Sequence, residues 1–338
     1  MRDERNYSLL KHNTFGIEAR CRRFLEYDTL DEAVAAARLL REARQPFMMT
    51  GAGSNLLLTG DYDGTVVHSA IRGFSLTESP DGQARLCCGS GETWDNIVAW
   101  TAEQGFFDLV NLSLIPGEAG SSAVQNIGAY GTEAQQFIES IQAVDLTTGT
   151  VVRIAKADCR YGYRDSRFKH EWRNRFLITH VSYRLNRLSQ PNTAYGNIRA
   201  ELERLDIPSP TPLQLRQAII GIRRSKLPDP QELGNAGSFF VNPIVSREQF
   251  KALAAQYPQM LHYYINEEQE KIPAGWLIEQ CGWKGRSLGR AGVYEKQALV
   301  LVNLGGATGQ EIADLCRAIQ KDVMGKFGIE IKPEVMMV

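Results

Sequence analysis

No stretch of the sequence approaches the roughly 18 consecutive apolar residues that a membrane-spanning helix needs. The opening residues, MRDERNYSLLKHNTFGIEAR, hold no apolar core of signal-peptide length. These absences make a cytoplasmic protein with no membrane partner the expectation. An excess of either charge is also missing: 38 Lys and Arg face 39 Asp and Glu, a formal net charge of -1. No nucleic-acid partner is therefore expected, and any phosphate must be held by loops and a few placed cations. Histidine is scarce, with five residues and no HExxH pair or Cys/His cluster, so no metal is expected. Cys21, Cys87, Cys88, Cys159, Cys281 and Cys316 are scattered without a CxxC pair. In a chain this long, that spacing reads as reduced packing residues rather than a disulfide frame. Internal repeats and low-complexity segments are absent too.

What remains is an ordinary globular balance, 43% hydrophobic and 23% charged, in 338 residues, enough for two or three domains. Cys21 to Tyr27 reads as a strand. Thr29 then opens a helix through DEAVAAARLLREAR, with Glu32 completing a capping box. Phe47 to Thr50 is a short strand that runs into a glycine loop, and LLLTG after that loop reads as strand. These pieces form a small α/β segment, residues 1–70. Residues 71–215 read as mixed α+β. A helix from Trp94 to Gln104 is capped by Thr93 and closed by Gly105. Strands are expected at Val66 to Ser69, Arg85 to Cys88, Ile138 to Asp145, Thr150 to Ile154 and Phe176 to Leu185, with a hairpin turn at Thr147-Thr148-Gly149. A polar, proline-bearing stretch, 186–212, leads to a last segment, 216–338. There helices are expected at Leu213 to Ser225, Ser246 to Gln256, Pro273 to Cys281 and Thr308 to Lys326, with a buried strand at Leu299 to Asn303.

Two loops carry the chemistry. The first is Gly51-Ala52-Gly53-Ser54-Asn55-Leu56, whose glycines allow positive φ and bring backbone N–H groups close to a ligand. It lacks the third glycine of the Rossmann fingerprint and no helix follows, which disfavours that fold. The second loop runs Ile115-Pro116-Gly117-Glu118-Ala119-Gly120-Ser121-Ser122-Ala123-Val124-Gln125-Asn126-Ile127-Gly128-Ala129-Tyr130-Gly131. Glycines, serines and amides with a single charge suit a pyrophosphate and a polar ring better than a solvated surface loop.

Together these loops resemble the FAD-binding signature of the UDP-N-acetylenolpyruvoylglucosamine reductases, also called UDP-N-acetylmuramate dehydrogenases. The resemblance continues, in order, through Tyr163-Arg164-Asp165-Ser166, Gly234-Asn235-Ala236-Gly237-Ser238-Phe239-Phe240-Val241-Asn242-Pro243, Ala274-Gly275-Trp276-Leu277-Ile278 and Pro333-Glu334-Val335. It implies an α+β fold: a two-subdomain FAD-binding unit of the vanillyl-alcohol-oxidase/PCMH type plus a C-terminal α+β substrate domain. The segment holding Ala194-Tyr195-Gly196 is similar to the family's longer type, in which a tyrosine loop closes over the substrate.

The resemblance further implies a monomer that holds FAD non-covalently, takes NADPH as reductant and reduces the enolpyruvyl ether of a UDP-sugar. Cofactor contacts then fall on Gly51, Ala52, Gly53, Ser54, Asn55, Leu56, Pro116, Gly117, Ser121, Ser122, Gln125, Asn126, Gly128 and Tyr130. Arg164 and Glu334 attend the substrate carboxylate and Ser238 protonates C2. Arginine suits its task by staying charged and binding bidentately. Glutamate fits if a buried, carboxylate-facing site raises its pKa so that it donates a hydrogen bond. Arg223, Arg224 and Lys226 cluster at a helix end. Such cations suit a helix C-terminus structurally as well as a UDP-sugar, for which Arg223 is a candidate; by resemblance, Lys226 meets the diphosphate, with Tyr195, Asn242, Tyr263 and Gln297 around the nucleotide and sugar. One position departs from the pattern: many members carry arginine two residues after the glutamate, and this chain has Met336. Two other readings keep the fold. One is an oxidase of small alcohols or sugars with tethered FAD, against which neither loop offers a His or Cys. The other is a nucleotide-sugar sensor without turnover.

Overall fold

The computed structural model describes residues 1–338 as two compact units, each assembled from separate stretches of chain. The first comprises Met1–Tyr7, Cys21–Ala52 and Asp63–Arg223; the second comprises Ser8–Arg20, Gly53–Tyr62 and Arg224–Val338.

In the first unit a four-stranded sheet runs in the order Arg2–Ser8, Arg20–Tyr27, Tyr62–Ser69, Phe47–Thr50, the last two parallel with Met48 opposite Val66. The helix Leu30–Ala43 lies against it through a stripe of small side chains, Ala33, Ala36 and Ala37, with Leu40. These share a core with Leu25, Val67, Val144 and Leu177. Thr29 accepts the Glu32 N–H at 3.2 Å, as expected of a cap. The Glu32 carboxylate, however, takes the N–H of Asp28 at 3.0 Å rather than that of Thr29, so the box is displaced by one residue.

A five-stranded antiparallel sheet follows the order Thr150–Ala155, Ile138–Asp145, Phe176–Asn186, Gln83–Gly89, Phe74–Glu78. The expected hairpin joins the first two strands, with Gly149 at φ +78°. Helices Trp94–Glu103 and Ala119–Gln125 cover one side, and Trp94, Ile97, Ala119 and Ala123 pack with Leu86, Ile141, Val181 and Tyr183. Thr93 precedes the first of these helices but makes no side-chain cap; its hydroxyl takes a bond from Arg72 instead. A third cluster joins Ile198 and Leu202 of helix Ile198–Arg204 to Leu215, Ile219 and Ile222 of helix Pro212–Lys226. The first of this pair lies inside the stretch expected to be a polar connection. Only Ile198 and Leu202, one turn apart, face a core, too short a signal for periodicity to show.

The second unit is built on the antiparallel order Asn235–Ser238, Val300–Asn303, Ala291–Val293, Ser287–Leu288. Helix Gly309–Phe327 buries Ile312, Leu315, Ile319 and Val323. Its Thr308–Glu311 capping box is complete, and Gly328 at φ +62° ends it. A separate sheet runs Ile244–Ser246, Gln269–Lys271, Tyr263–Asn266. The strand expected at LLLTG shrinks to Leu56–Leu57, which pairs in parallel with Met336–Met337 at the C-terminus.

Gly309 begins its helix against the chain at Leu58. A Cβ there would stand 1.7 Å from the Leu58 carbonyl oxygen and 2.9 Å from Thr59 Cα. Alanine is the better helix former by about 1 kcal/mol, but forcing a methyl group into backbone costs about 1–3 kcal/mol or more. Gly309→Ala is therefore expected to lower the thermal midpoint by several degrees. A midpoint that rises would show that the 58–59 segment yields freely.

Candidate flavin and substrate site

In the first unit, Gly51 and Ala52 leave the strand Phe47–Thr50 directly onto the second glycine-rich segment. A Cβ on Gly51 would lie 3.0 Å from a Glu118 carboxylate oxygen and 3.3 Å from Ser121 Oγ. Any larger residue would push the two segments apart. The second segment is not loop throughout, for Ala119–Gln125 is helical. Glycine and serine are poor helix formers, and what rescues them is a reciprocal cap. The Glu118 carboxylate accepts the Ser121 N–H, and Ser121 Oγ accepts the Glu118 N–H at 3.1 Å. Gly120 lets this turn sit on Ser90, donating its N–H to the Ser90 carbonyl at 2.8 Å where a Cβ would meet Ser90 Cβ at 2.9 Å. Pro116 leads in, and Gly117 turns at φ +133° while its carbonyl accepts the Trp94 N–H. Ser122 is buried, donating to the Ala119 carbonyl at 2.7 Å and pairing with the Tyr183 hydroxyl at 2.8 Å. Gln125 is half-buried in the last turn, and Asn126 closes the helix in the left-handed region at φ +47°.

Beneath this cap lies a cluster that the sequence reading missed. His68 is buried, with Nδ1 2.8 Å from Glu26 Oε2 and Nε2 3.1 Å from Glu118 Oε1. Burial pulls the imidazole pKa down. The hydrogen bonds and charges of Glu118 and Glu26 outweigh that loss, and the net shift is upward from 6.5. His68 thus pairs with the one acid of the flavin loop. Glu118, as the only charge in that loop, was the available signal; nothing local marks His68 or Glu26 as its partners.

Further along, Gly128–Ala129 pairs with Thr132–Glu133 in a tight hairpin. Arg164 donates from Nη2 to the Gly128 carbonyl, and a Cβ on Gly128 would stand 3.1 Å from Arg164 Nη1. Arg164 itself occupies a left-handed φ of +55°, in the turn closed by Gly162 and Asp165. Tyr195 of the long loop packs on the same hairpin: a Cβ on Gly131 would be 3.3 Å from its side chain. Asn111 ties loop to hairpin by donating to the Asn192 carbonyl at 3.0 Å and the Tyr130 carbonyl at 3.1 Å. Arg223 bonds the Tyr130 hydroxyl, and its Nε is buried with no hydrogen-bond partner. Burial, with the like charge of Arg164 adding to it, pulls its pKa below 12.5 against the opposing Tyr130 and Asp95. An orphaned guanidinium N–H beside a second arginine is a site waiting for an anion.

The second unit carries the rest. Gly53, at φ +67°, lies so close to the chain at residues 12–13 that a Cβ would be 2.0 Å from the His12 carbonyl oxygen. Ser54 follows. Asn55 donates its side-chain amide to the Glu334 carbonyl at 3.2 Å, and Leu56 is buried in its ladder with Met336. Ser238 is exposed at the end of Asn235–Ser238, after a bulge between Asn235 and Ser238 and the left-handed Gly237 at φ +67°. After this irregularity Ser238 pairs with Val300, and a Cβ on Gly237 would meet nothing within 4 Å. Glu334, half-buried, donates its N–H to the Phe239 carbonyl at 2.8 Å, which joins its segment to the one that follows Ser238. Asn242 Oδ1 accepts the Ala274 N–H at 2.9 Å. Gln297 Oε1 accepts the Leu299 N–H at 3.3 Å and would lie 3.2 Å from a Cβ on Gly275. Lys226 is exposed at the end of its helix, and Tyr263 is exposed with Lys271 Nζ 5.5 Å from its ring centroid.

Comparison with known proteins decides what these residues serve. Residues 229–338 match the model of the UDP-N-acetylenolpyruvoylglucosamine reductase C-terminal domain, and residues 22–155 match that of an FAD binding domain. A UDP-N-acetylenolpyruvoylglucosamine reductase of Bacteroides fragilis (strain YCH46) is 47% identical over 98% of this chain and 99% of its own. Another, from Paraburkholderia phymatum, is 45% identical over 97% of this chain and 96% of its own. The chain belongs to the UDP-N-acetylenolpyruvoylglucosamine reductase family. The crystal structure of a UDP-N-acetylenolpyruvylglucosamine reductase from Thermus caldophilus superposes with a TM-score of 0.68 at 21% identity, covering 100% of this chain and 99% of that one, and so shares the fold. The chain is accordingly an α+β flavoenzyme, with FAD and NADPH as its cofactors. Its residues fit a flavin: glycines at the points of closest backbone approach, a loop acid paired with a histidine, and no His or Cys in either glycine segment to tether the ring. No helix is long and apolar enough to cross a membrane.

A folded-state imidazole pKa above 6.5 adds stability that is complete at acid pH and lost as pH rises through the raised value. Wild-type thermal midpoints should therefore fall as pH rises above about 6.5, and His68→Gln should flatten that dependence. A wild-type profile level across this range would exclude a cationic His68.

Proposed function

We propose that this chain reduces the enolpyruvyl group of UDP-N-acetylglucosamine enolpyruvate to give UDP-N-acetylmuramate for peptidoglycan precursor synthesis, working as a monomer in the cytoplasm. Segments 1–70 and 71–215 are the proposed flavin subdomains and 216–338 the substrate domain. The observation that carries the reading is the backbone bond from Glu334 to Phe239, the residue after Ser238, which joins the sequence block of the carboxyl to that of the serine.

When bound and reduced by NADPH, FAD supplies hydride from N5 to C3 of the enolpyruvyl group. The remaining work is stabilising the negative charge left at C2 and its carboxylate, and protonating C2. Arg164, steadied by the Gly128 carbonyl, takes the carboxylate. Glu334 in its protonated form donates a second hydrogen bond there. Ser238, exposed at the end of its strand, delivers the proton to C2. The orphaned Nε of Arg223 and the ammonium of Lys226 serve the diphosphate. Asn242 and Gln297 have committed their carbonyl oxygens to backbone N–H groups, which leaves their amide NH₂ groups for the sugar and nucleotide. Tyr263 and the Tyr195 loop close around them. Gly51 to Leu56, Pro116, Gly117, Ser121, Ser122, Gln125, Gly128 and Tyr130 line the cofactor, whereas the side chain of Asn126, expected among them, is buried and spent on Gly162, Glu133 and Gln135.

Anaerobic mixing separates the two half-reactions. Ser238→Ala should leave flavin reduction by NADPH intact and slow reoxidation by the enolpyruvyl substrate about 10²-fold or more, the scale of a lost general acid. Equal slowing of both halves would contradict the role. At the carboxyl, Glu334→Gln should retain more activity than Glu334→Ala or Glu334→Asp, because an amide still donates. Denaturation should release free yellow cofactor; colour that stays with the precipitated protein would point to a tethered-flavin oxidase instead.

A further inference from the structure

Asn126 spends its side chain on the protein. It is fully buried, and Nδ2 donates to the Gly162 carbonyl at 2.7 Å and to Glu133 Oε2 at 3.0 Å, while Oδ1 accepts the Gln135 N–H at 3.0 Å. Glu133 is held in turn by Gln135 Nε2 at 2.5 Å. One amide face sees two acceptors and the other sees a donor, so the group has a single workable orientation.

The carbonyl it grips belongs to the turn that carries Arg164. Gly162 and Asp165 close that turn by exchanging N–H···O bonds of 3.0 and 3.1 Å, and the Gly162 oxygen takes the Asn126 amide as well. Ser166 Oγ adds a bond of 2.6 Å to the Val124 carbonyl in the last turn of the helix that Asn126 ends. Lys169 Nζ holds the Arg164 carbonyl at 2.9 Å. Arg164 and Asn126 both sit at positive φ, +55° and +47°, without being glycine. Such backbone persists only where neighbours over-determine it, and the Asn126 amide is one of the groups that hold the turn carrying Arg164.

We propose that Asn126 is a positioning residue for Arg164. Oriented by Glu133, it locks the 162–165 turn to the end of the flavin-loop helix, so that the guanidinium is aimed before the substrate carboxylate arrives. Preorganisation of that kind shows in substrate binding and in the rate of the substrate half-reaction. This rests on the reading of Arg164 as the carboxylate's partner, and it differs from a cofactor contact for Asn126.

Asn126→Gly tests it, because glycine keeps the left-handed backbone and removes only the side chain. Amide hydrogen exchange at Asp165, whose N–H is bonded in the turn, should quicken about tenfold or more in the free protein. FAD affinity, read by flavin fluorescence, should stay within about threefold, and so should flavin reduction by NADPH. KM for the enolpyruvyl substrate should rise and kcat fall, each by about tenfold, the penalty of a slightly misplaced binding group. Glu133→Gln should move the same quantities in the same direction by less. Unchanged Asp165 exchange in both variants overturns the proposal, as does lost FAD affinity with unchanged exchange, which would make Asn126 a cofactor contact. If wild-type protein fails to turn over the enolpyruvyl substrate, the functional reading falls, while exchange at Asp165 still decides the positioning claim.

Discussion

The second unit depends on one strand-like thread, the last residues of the chain, which bonds to two partners at once. Glu334 donates to the Phe239 carbonyl, Met336 to Asn55 and Val338 to Leu57, and Thr59 donates back to Val338. Segments nearly three hundred residues apart are thereby fixed in one register by backbone bonds, and the acid, the serine and the second half of the first glycine loop share it. Loop-closure entropy grows only with the logarithm of loop length, so such distant closure is affordable once a few buried bonds form. Met336, where the resemblance read from sequence expects an arginine, stands in this ladder. That residue's N–H, not its side chain, makes the ladder bond, so the change leaves the placement of Glu334 intact.

Close backbone approach is the second constraint, and it changes what the glycines mean. Read from sequence, Gly53 lets a ligand come near. In the fold, its missing Cβ is what admits the His12 carbonyl, and at Gly234 the same absence admits the Phe15 carbonyl, 2.2 Å from where a Cβ would be. Segment 8–20 is thus wedged against both loops. Its polar backbone is satisfied by buried amides, Asn13 bonding Leu9, Ile17 and its own turn, and Asn303 bonding Phe15. Glycines that serve packing and glycines that serve a ligand carry the same letter, and only the neighbour across the gap tells them apart.

That ambiguity marks the limit of what could be read beforehand. Helices with their own caps were legible, as Thr308 and Glu311 show, because cap and periodicity are local. The Ala119–Gln125 helix was not, since its composition argues for loop and its stability comes from the Glu118–Ser121 reciprocal cap and from Ser90 across the gap. The division into units was illegible for a related reason. Residues 8–20 and 53–62 leave one unit and join the other with no change of composition or linker to mark the passage. Site residues within ordered motifs were readable, and those defined by long-range charge pairing, His68 with Glu26 and Glu118, were not.

Charge is handled in opposite ways at the two ends of the first unit's site. Around the glycine segments the one acid is paired internally, with a histidine shared with a second carboxylate. Around the arginines the arrangement differs: Arg164 bonds the Gly128 carbonyl, and Arg223 keeps its Nε buried with no hydrogen-bond partner. Asp95, the nearest acid to Arg223, is committed to Arg216 through two bonds of 2.7 and 2.8 Å and to the Leu114 N–H. Leaving a guanidinium N–H buried and unpaired costs stability, and the cost is recovered only when an anion arrives. A chain of net charge -1 needs no basic surface to hold an anion. A guanidinium N–H already desolvated, as at Arg223, is the kind of donor that gains most from charge that develops during reaction.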